Sequence, residues 1–163
     1  MVNLQSGSSY KLTNEKAGNV LDLSGGDNKS IIGYEWHGSD NQKWRVQQDG
    51  NNWTIQNVGT GKWLAVEGDA GDGAAVVGRD EPYQWEIKED QKDSSVLRIY
   101  APGTKYNVDL ADHGNATAGN KIHLWAKWTE GRNQCWRFEN GMNSAPGLTP
   151  EHLAYCPDGN VRI

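Results

Sequence analysis

Val20-Leu21-Asp22-Leu23, a glycine-rich loop, Ile31-Ile32-Gly33-Tyr34-Glu35-Trp36, and then Asn41-Gln42-Lys43-Trp44: this stretch decides the fold, because the chain repeats it twice with variations. Leu21-Asp22-Leu23 returns as Leu64-Ala65-Val66 and as Val108-Asp109-Leu110, at offsets of 43 and 44. In each triplet the outer apolar residues share one face of an extended strand, and the central residue points to the other. The closing Gln-x-Trp returns as Tyr83-Gln84-Trp85 and as Gln134-Cys135-Trp136, with Tyr standing for Gln in the second copy.

Working outward, each copy opens on a strand of alternating character: Tyr10-Lys11-Leu12-Thr13-Asn14, Trp53-Thr54-Ile55-Gln56-Asn57 and Leu97-Arg98-Ile99-Tyr100-Ala101. A period of two predicts half-buried strands. Turns follow at Ala17-Gly18-Asn19, Gly59-Thr60-Gly61 and Pro102-Gly103-Thr104. Third strands run through Ile31-Ile32-Gly33-Tyr34, Val76-Val77-Gly78-Arg79 and Ile122-His123-Leu124-Trp125, and fourth strands open on Trp44, Trp85 and Trp136. Four strands in each of three copies predict about twelve, an all-β fold. Three copies are too few for a propeller, which usually needs four to eight blades. They fit a closed threefold barrel with hairpin caps, which leaves few strand edges open.

The composition agrees. With 163 residues the chain suits one domain. Leu, Ile, Val and Phe fall below about a fifth of it, a level that can signal disorder. The net charge is only -5, however, and eight Trp supply large apolar area. A core built on Trp and a loop-rich surface with 20 Gly are expected. The acidic balance disfavours nucleic acid and anionic membranes, which call for a basic face. There is no apolar run of 18 residues, so no membrane insertion is expected. Met1 to Gly7 lacks the charged and apolar regions of a signal peptide. Three Asn-x-Ser/Thr triplets, at Asn28, Asn52 and Asn115, arise easily by chance in an Asn-rich chain. Glycans on Asn28 or Asn115 would obstruct loops beside the repeated Asp, so a cytoplasmic, unglycosylated protein is expected. Cys135 and Cys156 form neither a metal motif nor a disulfide framework and read as free thiols.

Gln42-Lys43-Trp44 and Asn133-Gln134-Cys135-Trp136, in phase with their strands, resemble the Gln-x-Trp signature of ricin-B-type lectins, and Ile31-Ile32-Gly33-Tyr34 is most similar to small cytoplasmic mushroom lectins. The resemblance implies a β-trefoil over residues 1–139, with repeats at about 8–50, 51–94 and 95–139. It also implies a preference for galactose and N-acetylgalactosamine, terminal galactosides as partners, and a role in defence. Residues 140–163 fall outside it and read as an irregular C-terminal extension, with one helical turn after Thr149-Pro150.

The chemistry of a sugar site is legible beside the resemblance. A hexose offers vicinal hydroxyls and an apolar C–H face, so recognition needs a carboxylate acceptor, an amide and an aromatic ring. The first copy offers Asp22, Tyr34 or Trp36 as the ring, Asn41 as an amide donor, and His37 and the backbone around Gly25 as further contacts. One of Tyr34 and Trp36 packs and the other stacks, and the sequence leaves that choice open. Asp22 is expected to be partly exposed, pointing away from Leu21 and Leu23; the alternative is that it stabilises a hairpin turn. Trp44 reads as core and Gln42 as a structural hydrogen-bonder. The second copy has Ala65, Arg79 and Pro82 at the three roles and is expected to be silent. The third restores Asp109, Trp125 and Asn133, and Trp128 matches Trp36 when counted back from Asn. Its loop, Ala111 to Asn120, is longer, and His113 and His123 are extra polar groups.

No Gly-x-Ser-x-Gly, His-Glu-x-x-His or Cys-x-x-Cys occurs, which argues against an enzyme, a metal site or a cofactor. The rival from another class is a β-trefoil protease inhibitor acting through an exposed loop. A second rival is a carbohydrate module detached from an enzyme. Single sugar sites are shallow, so two sites per chain or a homodimer would supply multivalency.

Overall fold

The computed structural model of the protein describes residues 2–140, which leaves Cys156 and the expected helical turn after Thr149 outside the described residues. Twelve strands run in chain order: β1 (Ser9–Asn14), β2 (Val20–Leu23), β3 (Ile31–Tyr34), β4 (Trp44–Asp49), β5 (Asn52–Asn57), β6 (Trp63–Val66), β7 (Val76–Arg79), β8 (Glu86–Glu89), β9 (Leu97–Tyr100), β10 (Tyr106–Leu110), β11 (Asn120–Ala126) and β12 (Trp136–Asn140). The chain is a β-trefoil. The first and fourth strands of each repeat make the barrel: β1 pairs with β4 and β12, β4 with β5, β8 with β9, and β9 with β12. The circle closes between β5 and β8, where Trp53 and Trp85 exchange both backbone hydrogen bonds at 2.9 and 2.7 Å.

The second and third strands of each repeat form hairpins, β2–β3, β6–β7 and β10–β11, that cap one end of the barrel. The hairpins join through Gly33↔Asn120, Ser30↔Val77 and Ala75↔His123. No strand edge between repeats is left without a neighbour at these points, which explains how three short hairpins hold together.

Trp44, Trp85 and Trp136 are each 0% exposed. Their indole N–H groups donate to the carbonyls of Leu21, Leu64 and Val108, at 3.0, 2.8 and 3.1 Å. The bond is the same in every repeat: the closing Trp reaches the residue just before the central position of the Asp/Ala/Asp triplet. A buried indole needs a partner for its N–H, and this one ties the fourth strand of each repeat to its second. The anchor therefore sits directly beneath the position where a site is expected.

Among the opening strands of the three repeats, β9 departs from the alternating expectation. All four residues of β9 are buried, and Arg98 is only 1% exposed. Its guanidinium is enclosed by acceptors from Asp90, Asn107 and Gln134 and by two backbone carbonyls. Cys135 is also buried, and burial pushes its thiol up to about 11.

Candidate functional site

In the first repeat, β2 carries Asp22 opposite Ile32 of β3. A 3-10 turn, Asp40–Gln42, then folds its side chains over the carboxylate. Asn41 Nδ2 donates to Asp22 Oδ1 at 3.1 Å and to the Leu23 carbonyl at 3.2 Å. Gln42 Nε2 donates to Asp22 Oδ2 at 2.9 Å and to the Glu35 carbonyl at 2.7 Å, while its Oε1 accepts from the His37 backbone at 2.9 Å. Gln42 is thus the structural hydrogen-bonder expected of it. Asp22 is 3% exposed, which corrects the expectation of partial exposure. The turn covers the carboxylate, although the strand does point it away from the core. Burial raises its pKa above the ordinary 3.8, against the opposing pull of Gln42, the His37 charge and Asn41.

The third repeat rebuilds this with an addition. Asn133 Nδ2 and Gln134 Nε2, from the 3-10 turn Arg132–Gln134, donate to Asp109 Oδ2 at 3.2 and 2.9 Å. His123 Nε2 lies 2.9 Å from Asp109 Oδ1. His123 occupies the place of Ile32, since both stand opposite the Asp in their hairpins. A carboxylate oxygen has about two acceptor positions. Asp22 therefore keeps one open on each oxygen, and Asp109 keeps one on Oδ1.

A cavity of about 270 Å³ opens over Asp109, lined by Asp112, His113, His123, Trp125, Trp128, Asn133 and Gln134. Trp125 and Trp128 are 44% and 49% exposed, large for indoles, and both face it. Asn133 Oδ1 is buried with no hydrogen-bond partner among the described residues. An unmade buried bond of this kind costs about 1–3 kcal/mol. On the rim, Asp112 and His113 hold φ of 54° and 53° in the turn Ala111–Gly114. Non-glycine residues rarely adopt that left-handed region, and strain of this sort gathers at ligand sites. Gly114 follows at φ 81°, where a Cβ would lie 2.8 Å from that of Asn133.

The two repeats also settle which residues correspond. Tyr34 pairs with Val20 as Trp125 pairs with Asn107, so these two rings hold equivalent places. Trp128 donates its backbone N–H to Gln134 Oε1 at 2.8 Å, as His37 does to Gln42. Trp128 therefore matches His37, which corrects the count that set it against Trp36. Trp36 instead lies under the Lys11 ammonium, 5.0 Å from the ring centre. The rings of Tyr34 and His37 stand edge to face at 6.1 Å. Gly25 is exposed, with open space around it, where the third repeat has Asp112. Both N–H bonds of Asn41 are used inside the protein, so its amide offers an incoming group Oδ1 and not the expected donor.

In the second repeat Ala65 is 0% exposed and no 3-10 turn forms before Trp85. Arg79 reaches the carbonyls of Glu81 and Pro82 and lies 5.4 Å from the ring centre of Tyr83, which packs on Trp85 at 4.8 Å. The space is filled by the protein itself. The groups that sequence reasoning missed are Arg98 and Asp112. Arg98 sat in an alternating strand and read as solvent-facing, and Asp112 lay in a loop whose course carries no periodic signal.

An Asp clasped by Asn and Gln, on the cap hairpins of a β-trefoil, recurs in the first and third repeats of a Gln-x-Trp trefoil, and the protein fills the equivalent place in the second. Residues 2–79 and 40–125 match the family described as ricin-type β-trefoil lectin domain-like. The chain is similar to the Macrolepiota procera ricin B-like lectin solved in complex with lactose, at 42% identity and a TM-score of 0.83, covering 85% of this chain and 99% of that one. It is also similar to the Rhizoctonia solani agglutinin, at 28% identity and a TM-score of 0.75, covering 86% and 99%. A designed threefold-symmetric protein, ThreeFoil, matches at 25% identity and a TM-score of 0.72, covering 80% and 97%. No curated protein sequence matches the chain. The chain belongs to the ricin-type β-trefoil lectin family.

Proposed function

We propose that the protein is a non-catalytic lectin that binds galactose- and N-acetylgalactosamine-type glycans at Asp22 and Asp109. The observation that carries this is the cavity over Asp109, where two exposed indoles stand beside an open carboxylate lone pair and the Asn133 amide. Those are the three chemistries a hexose needs. Galactose suits them because its axial hydroxyl leaves one ring face apolar, and the lactose complex of the 42% identical relative supports the same class. Tyr34 is the stacking ring of the first site, since it holds the place of Trp125, while Trp36 packs with Lys11. His37 flanks that ring and Gly25 leaves the rim open. By resemblance the proposal extends to a cytoplasmic role in defence, with multivalency from two sites or a homodimer. The protease-inhibitor alternative gains no support from the comparisons.

Crystals soaked in lactose test the reading. Sugar is expected over Asp22 and Asp109, with none against Ala65. Sugar resting on Ala65, or none at either Asp, would contradict it.

The first site should also titrate. Its carboxylate makes charge-assisted hydrogen bonds to hydroxyls only when ionised, so binding is strongest above its pKa and weakens below it. Burial has raised that pKa above 3.8. In an Asp109→Ala protein, lactose affinity is therefore expected to fall with acid at a midpoint above 3.8. A midpoint below that value would contradict the burial argument. The sign for folding is the opposite one. The folded state binds this proton more tightly than the unfolded state, so the contribution of Asp22 to stability declines as pH rises from 3.8 through the raised pKa.

A further inference from the structure

We propose that each sugar site is held in position by an asparagine of the next repeat round the barrel: Asn57 positions the first site and Asn14 the third. The inference rests on the sugar-binding reading above. Asn57 Nδ2 donates to the backbone carbonyl of Asn41 at 2.9 Å, and Asn14 Nδ2 donates to the backbone carbonyl of Asn133 at 2.9 Å. Asn41 and Asn133 are the residues that clasp the two carboxylates. Their carbonyls lie in short 3-10 turns, whose last carbonyls lack partners within the turn. The donor from the neighbouring repeat supplies that partner.

A second strut runs alongside. The backbone N–H of Val58 donates to the Lys43 carbonyl and that of Glu15 to the Cys135 carbonyl, each at 2.9 Å. Lys43 and Cys135 are the middle residues of the two Gln-x-Trp triplets. The corresponding residues that face the second repeat are Ala101 and Pro102. Ala has no amide to donate, and Pro has no backbone N–H. The repeat that lost its Asp is thus also the one whose neighbour carries neither strut, and it has no 3-10 turn.

The strand-end turn itself does not need the donor. The backbone N–H groups of Asn14, Asn57 and Ala101 donate to Asn19, Lys62 and Tyr106 in the same way in all three repeats. Asn14 Oδ1 also accepts from the backbones of Lys16 and Ala17, and Asn57 Oδ1 from that of Thr60. The positioning role belongs to Nδ2 alone. Asn→Asp is therefore the informative change: it keeps the acceptor and the volume and replaces the donor with an oxygen that repels the carbonyl.

The experiment places Asn14→Asp and Asn57→Asp in two single-site proteins, Asp109→Ala for the first site and Asp22→Ala for the third, and titrates each with lactose. Asn57→Asp is expected to weaken the first site about three- to tenfold, the worth of one hydrogen bond, and to leave the third within about twofold. Asn14→Asp is expected to do the reverse. In sugar-free nuclear magnetic resonance spectra, the side-chain amide of Asn41 should shift with Asn57→Asp and that of Asn133 with Asn14→Asp. A purely structural role would weaken both sites together, and that result overturns the proposal. So does unchanged affinity in both Asn variants where the Asp variants lose theirs, and in that case the sugar reading stands. Lactose binding that survives both Asp changes overturns the sugar reading and the positioning role with it.

Discussion

Replacing Arg98 with Met is expected to lower the unfolding free energy by about 3–5 kcal/mol, the range for removing one partner of a buried ion pair. For a domain of this size that corresponds to a fall of roughly 10–20 °C in melting temperature. Arg98 is 1% exposed and its five N–H donors all find acceptors. Nε reaches Asp90 Oδ1 at 2.7 Å, Nη1 reaches Asn107 Oδ1 and Gln134 Oε1 at 3.2 and 2.8 Å, and Nη2 reaches the carbonyls of Trp128 and Thr129 at 3.0 and 3.2 Å. Met fills similar volume but leaves the Asp90 carboxylate buried, with Arg132 at 3.6 Å as its remaining cation.

The pH dependence follows. Burial alone would raise the pKa of Asp90, but the Arg98 bond and charge and the Lys92 and Asp93 N–H groups outweigh it and hold it below 3.8. A depressed carboxylate contributes stability that is present above 3.8 and is lost as pH falls through the folded pKa. Arg98→Met should therefore remove part of the acid sensitivity below that value. Because Arg98 also holds Gln134 and the Trp128 carbonyl, lactose affinity at the third site should drop more than at the first. Thermal melts by circular dichroism check the stability claim, and a loss under about 1 kcal/mol would show that the charge is not buried in solution.

The second large effect is on binding. Asp22→Ala and Asp109→Ala are each expected to weaken lactose at their own site by at least about tenfold. Each removes charge-assisted hydrogen bonds worth about 1.5–3 kcal/mol apiece. Their costs in stability should differ. When Asp22 is removed, Asn41 Nδ2 and Gln42 Nε2 each retain a backbone carbonyl, at Leu23 and Glu35. When Asp109 is removed, Asn133 and Gln134 likewise keep Leu110 and Ala126, but the buried His123 loses the partner of its Nε2. Asp109→Ala should therefore destabilise by about 1–3 kcal/mol, more than Asp22→Ala. Denaturant titrations of the two variants decide it, and an equal or reversed order would contradict the role given to His123.

Much of this was legible in the residues. Trp44, Trp85 and Trp136 stood in phase and proved to make the same buried bond, and the replacement of Asp22 by Ala65 and of Asn41 by Pro82 matched a repeat filled by Arg79 and Tyr83. What sequence reading missed depended on contacts between distant segments. Asp22 lies on the outward face of its strand, and only the arrival of Asn41 and Gln42 some twenty residues later buries it. Trp128 was matched to Trp36 by counting from Asn, but the connecting loop is one residue longer in the third repeat, with Trp128 six residues before Gln134 and His37 five before Gln42. Arg98 followed a strand period that predicts exposure, and its acceptors come from β10, the Trp128 loop and the turn at Gln134. The asparagines at 14 and 57 recur at matching positions, a signal that was present, but what they hold becomes visible only when repeats are set side by side in space.

The most direct test is a calorimetric titration of lactose into the unmodified protein and into the Asp22→Ala/Asp109→Ala double variant, with near-ultraviolet dichroism of the buried Trp residues to confirm that the variant is folded. Two sites per chain are expected in the first and no measurable heat in the second. Undiminished lactose binding by the folded double variant would contradict this.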